Sequence, residues 1–223
     1  MPKVIFKFDI EKDAENYYKA ANSSSKWGYD FSKIMRPEVV KKVRGKTWKK
    51  SRTYLLNMLK RGYPKDKKRF QKHSKLIKSA WKKIEKRYFK KLEKITKRKI
   101  YTKKFTCYFT TIGRCPYSIK NISFMANIFT NDASLVIAHE VMHLQFHYYF
   151  EDEIRKTLSE GKFQDLKEAL TVLLNVEFKD ILKEKDKGYP SHVKIRQFIV
   201  KQWKKEKDFD VLIDKCVEYL KNN

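Results

Sequence analysis

The sequence predicts an α+β fold with a small mixed or antiparallel sheet, several helices and one strongly basic helical insertion. Two observations predict it. Runs rich in aromatic and β-branched residues, typical of strands, occur at Lys3–Ile10 and again after Lys104. Between and beyond these runs, apolar residues recur every three or four positions, as they do on the buried side of a helix.

The first strand is predicted where Val4, Phe6 and Phe8 alternate with lysines, and a short helix follows it before a serine-rich turn. The next segment is predicted to form two antiparallel helices. Gly62 is expected to cap the first of them, and Pro64 to begin the second. The second helix is long because one apolar stripe continues to Ile95.

Composition separates this segment from the rest of the chain. The formal net charge is +27, and residues 33–104 hold 30 Lys or Arg and only 4 Asp or Glu. Three cysteines are too few for a disulfide framework, and we find neither a signal peptide nor an apolar run long enough to span a membrane. We therefore expect a cytoplasmic, soluble protein.

The segment Ser134–Phe150 is nearly uncharged but contains HEVMH. Residues four apart share one helix face, so His139 and His143 can direct two imidazole nitrogens at one metal ion. Glu140 lies beside that line, where it can exchange a proton with an activated water. The alternative is a core helix whose histidines hydrogen-bond to backbone, which leaves a buried glutamate unexplained.

The third ligand is expected from a different helix. His147 lies too far along the same helix to share one ion with His139. Glu168 is the only charged residue in Glu168–Val176, and a carboxylate in so apolar a stretch calls for a cation. The alternative is a Glu168 that faces solvent at the start of its helix.

HExxH with a glutamate 25 residues beyond the second histidine resembles the gluzincin zinc metallopeptidases, and in scale the minigluzincins. The resemblance implies that His139, His143 and Glu168 hold one Zn²⁺ per chain and that Glu140 is the general base and acid. The resemblance covers about Phe105–Asp186. With the length and the charge distribution, we expect a single metallopeptidase-like domain over residues 1–223, with a basic helical insertion at 33–104 and a zincin core at 105–223.

The sequence departs from this family at one point. Thermolysin-like enzymes place an acidic residue four positions after the third ligand, where it orients a histidine, but Val172 stands there in this chain. Thr171 and Asn175 are the expected substitutes.

Two further parts of the site are hypotheses. Tyr189 or His192 is expected to donate a hydrogen bond to the oxyanion of the reaction, the alternative being that His192 is an ordinary surface residue. The resemblance also implies that Asn121–Asn127 is a sheet edge that pairs with an extended peptide substrate.

The basic block has two interpretations. Its cations could contact nucleic acid or another polyanion without sequence specificity, with aromatic residues stacking on bases: Trp48, Tyr54, Tyr63, Trp81 and Tyr88. Alternatively it is a solvated face or steers substrates, and an anionic membrane surface ranks last.

The sequence thus predicts a zinc metallopeptidase acting on peptide or protein substrates. The alternatives are a nucleic-acid-binding protein with a structural or vestigial zinc site, and a peptidase that acts on nucleic-acid-associated proteins.

Overall fold

The computed structural model describes residues 1–24 and 28–222 and shows an α+β fold, as predicted. The strands are β1 Lys3–Phe8, β2 Lys104–Thr110, β3 Tyr117–Ser118 and β4 Ser123–Asn127. The helices are α1 Ile10–Asn22, α2 Pro37–Val43, α3 Trp48–Thr96, α4 Ala133–Ile154, α5 Glu160–Leu170, α6 Val172–Glu177, α7 Val193–Lys205 and α8 Phe209–Asn222. Within the described ranges, no helix combines the length and apolar character needed to cross a membrane.

The four strands form a mixed sheet in the order β1-β2-β4-β3. Strands β2 and β4 are parallel, with Thr106 opposite Ser123, whereas β3 and β4 are antiparallel. The expectation that Asn121–Asn127 is a sheet edge is wrong, because β4 lies between β2 and β3. The chain turns back between β3 and β4, where Ile122 N donates to the Ile119 carbonyl at 3.1 Å, and Met125 N donates to the Pro116 carbonyl at 2.8 Å.

Helix α3 is continuous, so the prediction of two antiparallel helices separated at Gly62 and Pro64 is wrong. A proline inside a helix removes one hydrogen bond and its ring clashes with a carbonyl, at a cost of about 3 kcal/mol. Pro64 is exposed, where water can solvate the carbonyl that loses its partner. Buried residues on one face, from Leu55 and Leu59 before Pro64 to Ile77 after it, offset the cost.

The aromatic side chains of α3 point inward. Trp81 and Tyr88 are 1% and 0% exposed, the Tyr63 hydroxyl donates to Asp13, and Trp48 packs edge-on against Tyr18. The expectation that these rings stack on nucleic-acid bases is therefore not supported by their placement, since stacking needs an open ring face.

The chain divides into two compact units. The first, here the sheet unit, comprises the described residues of Val4–Trp81 and Thr106–Ala133. The second, here the helical unit, comprises Met1–Lys3, Lys82–Phe105 and the chain from Ser134 onward. Residues 33–104 therefore contribute to both units.

The sheet unit contains a buried carboxylate that is fully hydrogen-bonded. Asp13 on α1 is 0% exposed. It accepts hydrogen bonds from Tyr63 Oη at 2.6 Å, Thr110 Oγ1 at 2.5 Å, Thr111 N at 3.1 Å and Thr111 Oγ1 at 2.7 Å. These bonds connect α1 to α3 and to the end of β2.

The helical unit surrounds α4, the helix that carries HEVMH. Ile137, Ala138, Val141 and Leu144 are each 0% exposed. The Tyr88 hydroxyl, on the C-terminal part of α3, donates to the Ala138 carbonyl at 2.6 Å. Burial of α4 explains why its segment Ser134–Phe150, in which Glu140 is the one acidic residue, is apolar around almost its whole circumference.

Candidate metal centre

His139 and His143 lie one turn apart on α4, which contains neither proline nor glycine. Their ring centroids are 4.3 Å apart and their planes are inclined by 76°. The structure confirms the prediction that both imidazoles lie on one face of a helix. His143 is almost fully buried, whereas His139 keeps 22% of its side chain exposed.

Glu168 brings a carboxylate to both histidines from α5. Its Oε1 lies 3.3 Å from His143 Nε2, and its Oε2 lies 3.5 Å from His139 Nε2. Glu168 is 7% exposed, so it is not the solvent-facing residue of the alternative interpretation. Each of the three residues offers one ligand atom, and these atoms all lie within 4.8 Å of one another.

The cluster fits the coordination of zinc. Zinc binds imidazole nitrogen and carboxylate oxygen at about 2.0 to 2.2 Å, so two ligands of a tetrahedral ion lie about 3.4 Å apart. Each histidine nitrogen lies near that distance from one oxygen of Glu168: His143 Nε2 is 3.3 Å from Oε1, and His139 Nε2 is 3.5 Å from Oε2. Two nitrogens and one oxygen are also the donor set of catalytic zinc sites that keep one position open.

Glu140 is buried beside the ligands, with 6% of its surface exposed. Its Oε2 atom has no hydrogen-bond partner among the described residues. Burial raises the pKa of Glu140 to about 7; His139 opposes the rise and the Glu168 carboxylate adds to it. A carboxylate with an open acceptor atom and a pKa near neutrality is suited to accept and return a proton.

The structure adds a residue that sequence reasoning missed. Asp186, in the loop after α6, places Oδ2 3.2 Å from His139 Nδ1, the ring nitrogen on the opposite side from the cluster. Its Oδ1 accepts from Gly188 N at 2.9 Å. Asp186 lies among lysines in the sequence and looks solvated there, but it is 8% exposed.

Asn175 and Thr171 support this arrangement indirectly. The Asn175 side chain donates to the Asp186 carbonyl at 2.8 Å and accepts from Asp186 N at 2.7 Å. Thr171 Oγ1 donates to the Glu168 carbonyl at 2.6 Å and accepts from Arg196 at 3.1 Å. Arg196 also donates to the Asp186 carbonyl at 2.7 Å. The two predicted supporting residues thus fix the Asp186 loop and the α5 backbone.

Lys167 is a second residue that sequence reasoning missed. It is 3% exposed, and its Nζ lies 2.7 Å from Glu168 Oε1. Burial would raise the pKa of Glu168, but His143, His139 and Lys167 together hold it well below its usual range. The cluster therefore keeps Glu168 ionised, as a metal ligand must be.

The protonation of the histidines differs. Burial lowers the pKa of His139, but hydrogen bonds to Asp186 and Glu168 outweigh it and raise the pKa to about 10. Burial, together with the positive charges of Lys167 and His139, holds the pKa of His143 far below its usual range. Of the two imidazoles, only His139 is therefore positively charged at neutral pH when no cation is bound.

His192 and Tyr189 are adjacent to each other. His192 is 2% exposed, so it is not an ordinary surface histidine. Its Nε2 lies 3.2 Å from Asp165 Oδ1, one helical turn before Glu168 on α5, and the Tyr189 ring packs edge-on against it at 5.5 Å. Their role as oxyanion donors stays a prediction.

His147 lies outside the ligand cluster. Its Nδ1 is 2.8 Å from Glu151 Oε2, and its ring packs against Phe163 at 5.3 Å. It is a buried residue of the helix packing, as its distance along α4 predicts.

Comparison of the chain with protein-family models, with curated proteins and with solved structures finds no match. The likeness to gluzincins therefore rests on four residues and their spacing: His139, Glu140, His143 and Glu168.

Proposed function

We propose that this protein is a zinc-dependent metallopeptidase of the gluzincin type, which hydrolyses peptide bonds in peptide or protein substrates. One observation carries the proposal. Nitrogens of His139 and His143 each lie about one tetrahedral ligand separation from an oxygen of the same buried carboxylate, that of Glu168. The proposal includes a cytoplasmic location, because three cysteines are too few for the disulfide framework of a small secreted protein.

His139, His143 and Glu168 would hold one zinc ion per chain. When bound, zinc would act as a Lewis acid that polarises the scissile carbonyl and would lower the pKa of its own bound water to about 7. Glu168 stays ionised beside Lys167, and Asp186 holds the ring of His139 in the orientation that points Nε2 at the cluster.

Glu140 would carry the proton in the reaction. Its unpartnered Oε2 accepts a proton as water attacks the carbonyl carbon, and the same oxygen then returns that proton to the leaving amine. Burial favours this exchange, because it keeps the pKa of the carboxyl close to neutrality. Tyr189 and His192 are the proposed donors to the oxyanion.

Two variants test the proposal. We expect about one zinc per chain in the purified protein and cleavage of a denatured protein that a chelator stops. His143→Ala should lose the zinc and the cleavage, because two ligands hold the ion too weakly. Glu140→Gln should keep the zinc and lose the cleavage, because an amide cannot accept the proton.

The combination of results separates this function from its alternative. Zinc that is present without any cleavage, in the wild-type protein as in Glu140→Gln, contradicts a peptidase and favours a nucleic-acid-binding protein with a structural or vestigial site. Absence of bound zinc, both as purified and after addition of the metal, contradicts both interpretations.

A further inference from the structure

Cations line the solvent face of α3 within the sheet unit. Five cations recur at spacings of four, three, four and three residues, so they share one face of the helix: Arg61, Lys65, Lys68, Lys72 and Lys75. All five are exposed. We call these five residues the basic row; it extends over about 21 Å at 1.5 Å per residue.

The basic row lies opposite the buried side of α3. The residues about half a turn away around the helix face the interior of the sheet unit: Tyr63, Phe70 and Ile77. The basic row therefore occupies the surface that the fold leaves to solvent.

The five cations have no ion-pair partner among the residues that the structure describes. Some exposed cations elsewhere do have an acidic partner: Lys156 lies 2.6 Å from Glu153, and Lys207 lies 2.9 Å from Glu177. Within α3, acidic residues number only three in 49 positions: Asp66, Glu85 and Glu93.

Spacing of this kind destabilises an isolated helix. Like charges three or four residues apart repel each other on a helix, and the row contains four such neighbouring pairs. A polyanion that binds along the row removes this repulsion and releases its own counterions.

We propose that the basic row binds the phosphate backbone of duplex DNA without sequence specificity. Duplex DNA carries one negative charge per about 1.7 Å of axis, so about 12 phosphate charges lie along the about 21 Å that the row covers. Four of the five cations are lysines, which contact phosphate as point charges and lack the planar fork with which arginine reads guanine.

The inward placement of the aromatic rings favours the duplex over a single strand. Proteins that bind single strands without specificity stack bases on exposed aromatic faces. On α3 the nearby rings are engaged internally, Tyr63 with Asp13 and Phe70 with Phe109. This surface therefore presents positive charge, but the nearby aromatic rings are not open for a base to stack on.

The test uses the full chain and a labelled duplex of about 24 base pairs and random sequence, with the salt concentration varied. Each phosphate contact contributes about 0.9 to the slope of log affinity against log salt. The variant Lys65→Gln, Lys68→Gln, Lys72→Gln and Lys75→Gln should reduce that slope by about 3 to 4. Glutamine is a good helix former, so α3 should persist, which circular dichroism checks.

A matched control removes the same charge elsewhere. Glutamine at Lys183, Lys185, Lys194 and Lys221, all exposed in the helical unit, should change the slope by less than about 1. An equal loss in both variants overturns the proposal, because net charge rather than the row would then be responsible.

Three other results also overturn it: no binding to the duplex at about 50 mM salt, single-stranded DNA of the same length bound as tightly as the duplex, or polyglutamate bound as tightly as the duplex. DNA binding is measured in the presence of a chelator and with Glu140→Gln. Its outcome is therefore independent of the proposed peptidase activity.

Discussion

His139 Nδ1 and Asp186 Oδ2 are 3.2 Å apart, although 47 residues separate them in the chain. Asp186 thus holds the side of the imidazole that faces away from Glu168. In metal sites such a carboxylate sets the tautomer and the direction of the ligand nitrogen. Val172, four positions after Glu168, provides no acid, and the carboxylate that contacts His139 comes from a later loop.

This contact predicts the effect of Asp186→Asn. The amide is nearly isosteric but lacks the charge that supports His139, so we expect zinc affinity to fall about 10- to 100-fold. Competition with a chromophoric chelator measures it. Asp180→Asn is the control, because Asp180 pairs with Lys91 on the surface of the helical unit. Unchanged affinity in Asp186→Asn would show that the contact does not tune the site.

Zinc affinity should rise with pH. His139 has a pKa of about 10 without metal, and only its neutral form can bind a cation. Binding near neutral pH must therefore displace one proton, and affinity should increase about tenfold per pH unit between about pH 7 and 9. Competition titrations at several pH values check this, and a flat profile contradicts it.

Asp13→Ala should destabilise the fold. The substitution leaves buried hydroxyl groups of Tyr63 and Thr110 and the Thr111 amide without their acceptor, at a cost of about 2 to 4 kcal/mol. Urea unfolding measures the loss. Asp66→Ala, an exposed acid on α3, should stay within about 0.5 kcal/mol of the wild type. Comparable losses in the two variants would refute the role of the Asp13 network.

Pro64→Ala tests the continuity of α3. If one helix runs through this position, alanine restores an N–H donor and removes the ring clash, which should stabilise the protein by about 1 to 3 kcal/mol. Lys65→Ala, the exposed neighbour, should have little effect. A neutral or destabilising Pro64→Ala in urea unfolding would instead indicate a helix break at Pro64.

Local signals accounted for much of the fold. Alternation of apolar and charged residues located β1, and aromatic and β-branched runs located β2 and β4. The error at α3 came from a local rule applied alone. Gly62 and Pro64 are typical of a helix boundary, but apolar residues on both sides hold the helix together, and that packing involves residues distant in sequence.

By itself, the sequence determined the positions of His139, Glu140 and His143 relative to one another, because a helix sets the direction of each side chain from spacing alone. It also singled out Glu168, as a lone charge in an apolar run. Only the tertiary structure decided that Asp186, Lys167 and Arg196 surround the cluster. Asp186 lies among lysines and looks solvated in the sequence, whereas Lys167 and Arg196 stand beside apolar residues without a local sign of their partners. The burial of all three depends on elements that pack against them from elsewhere in the chain.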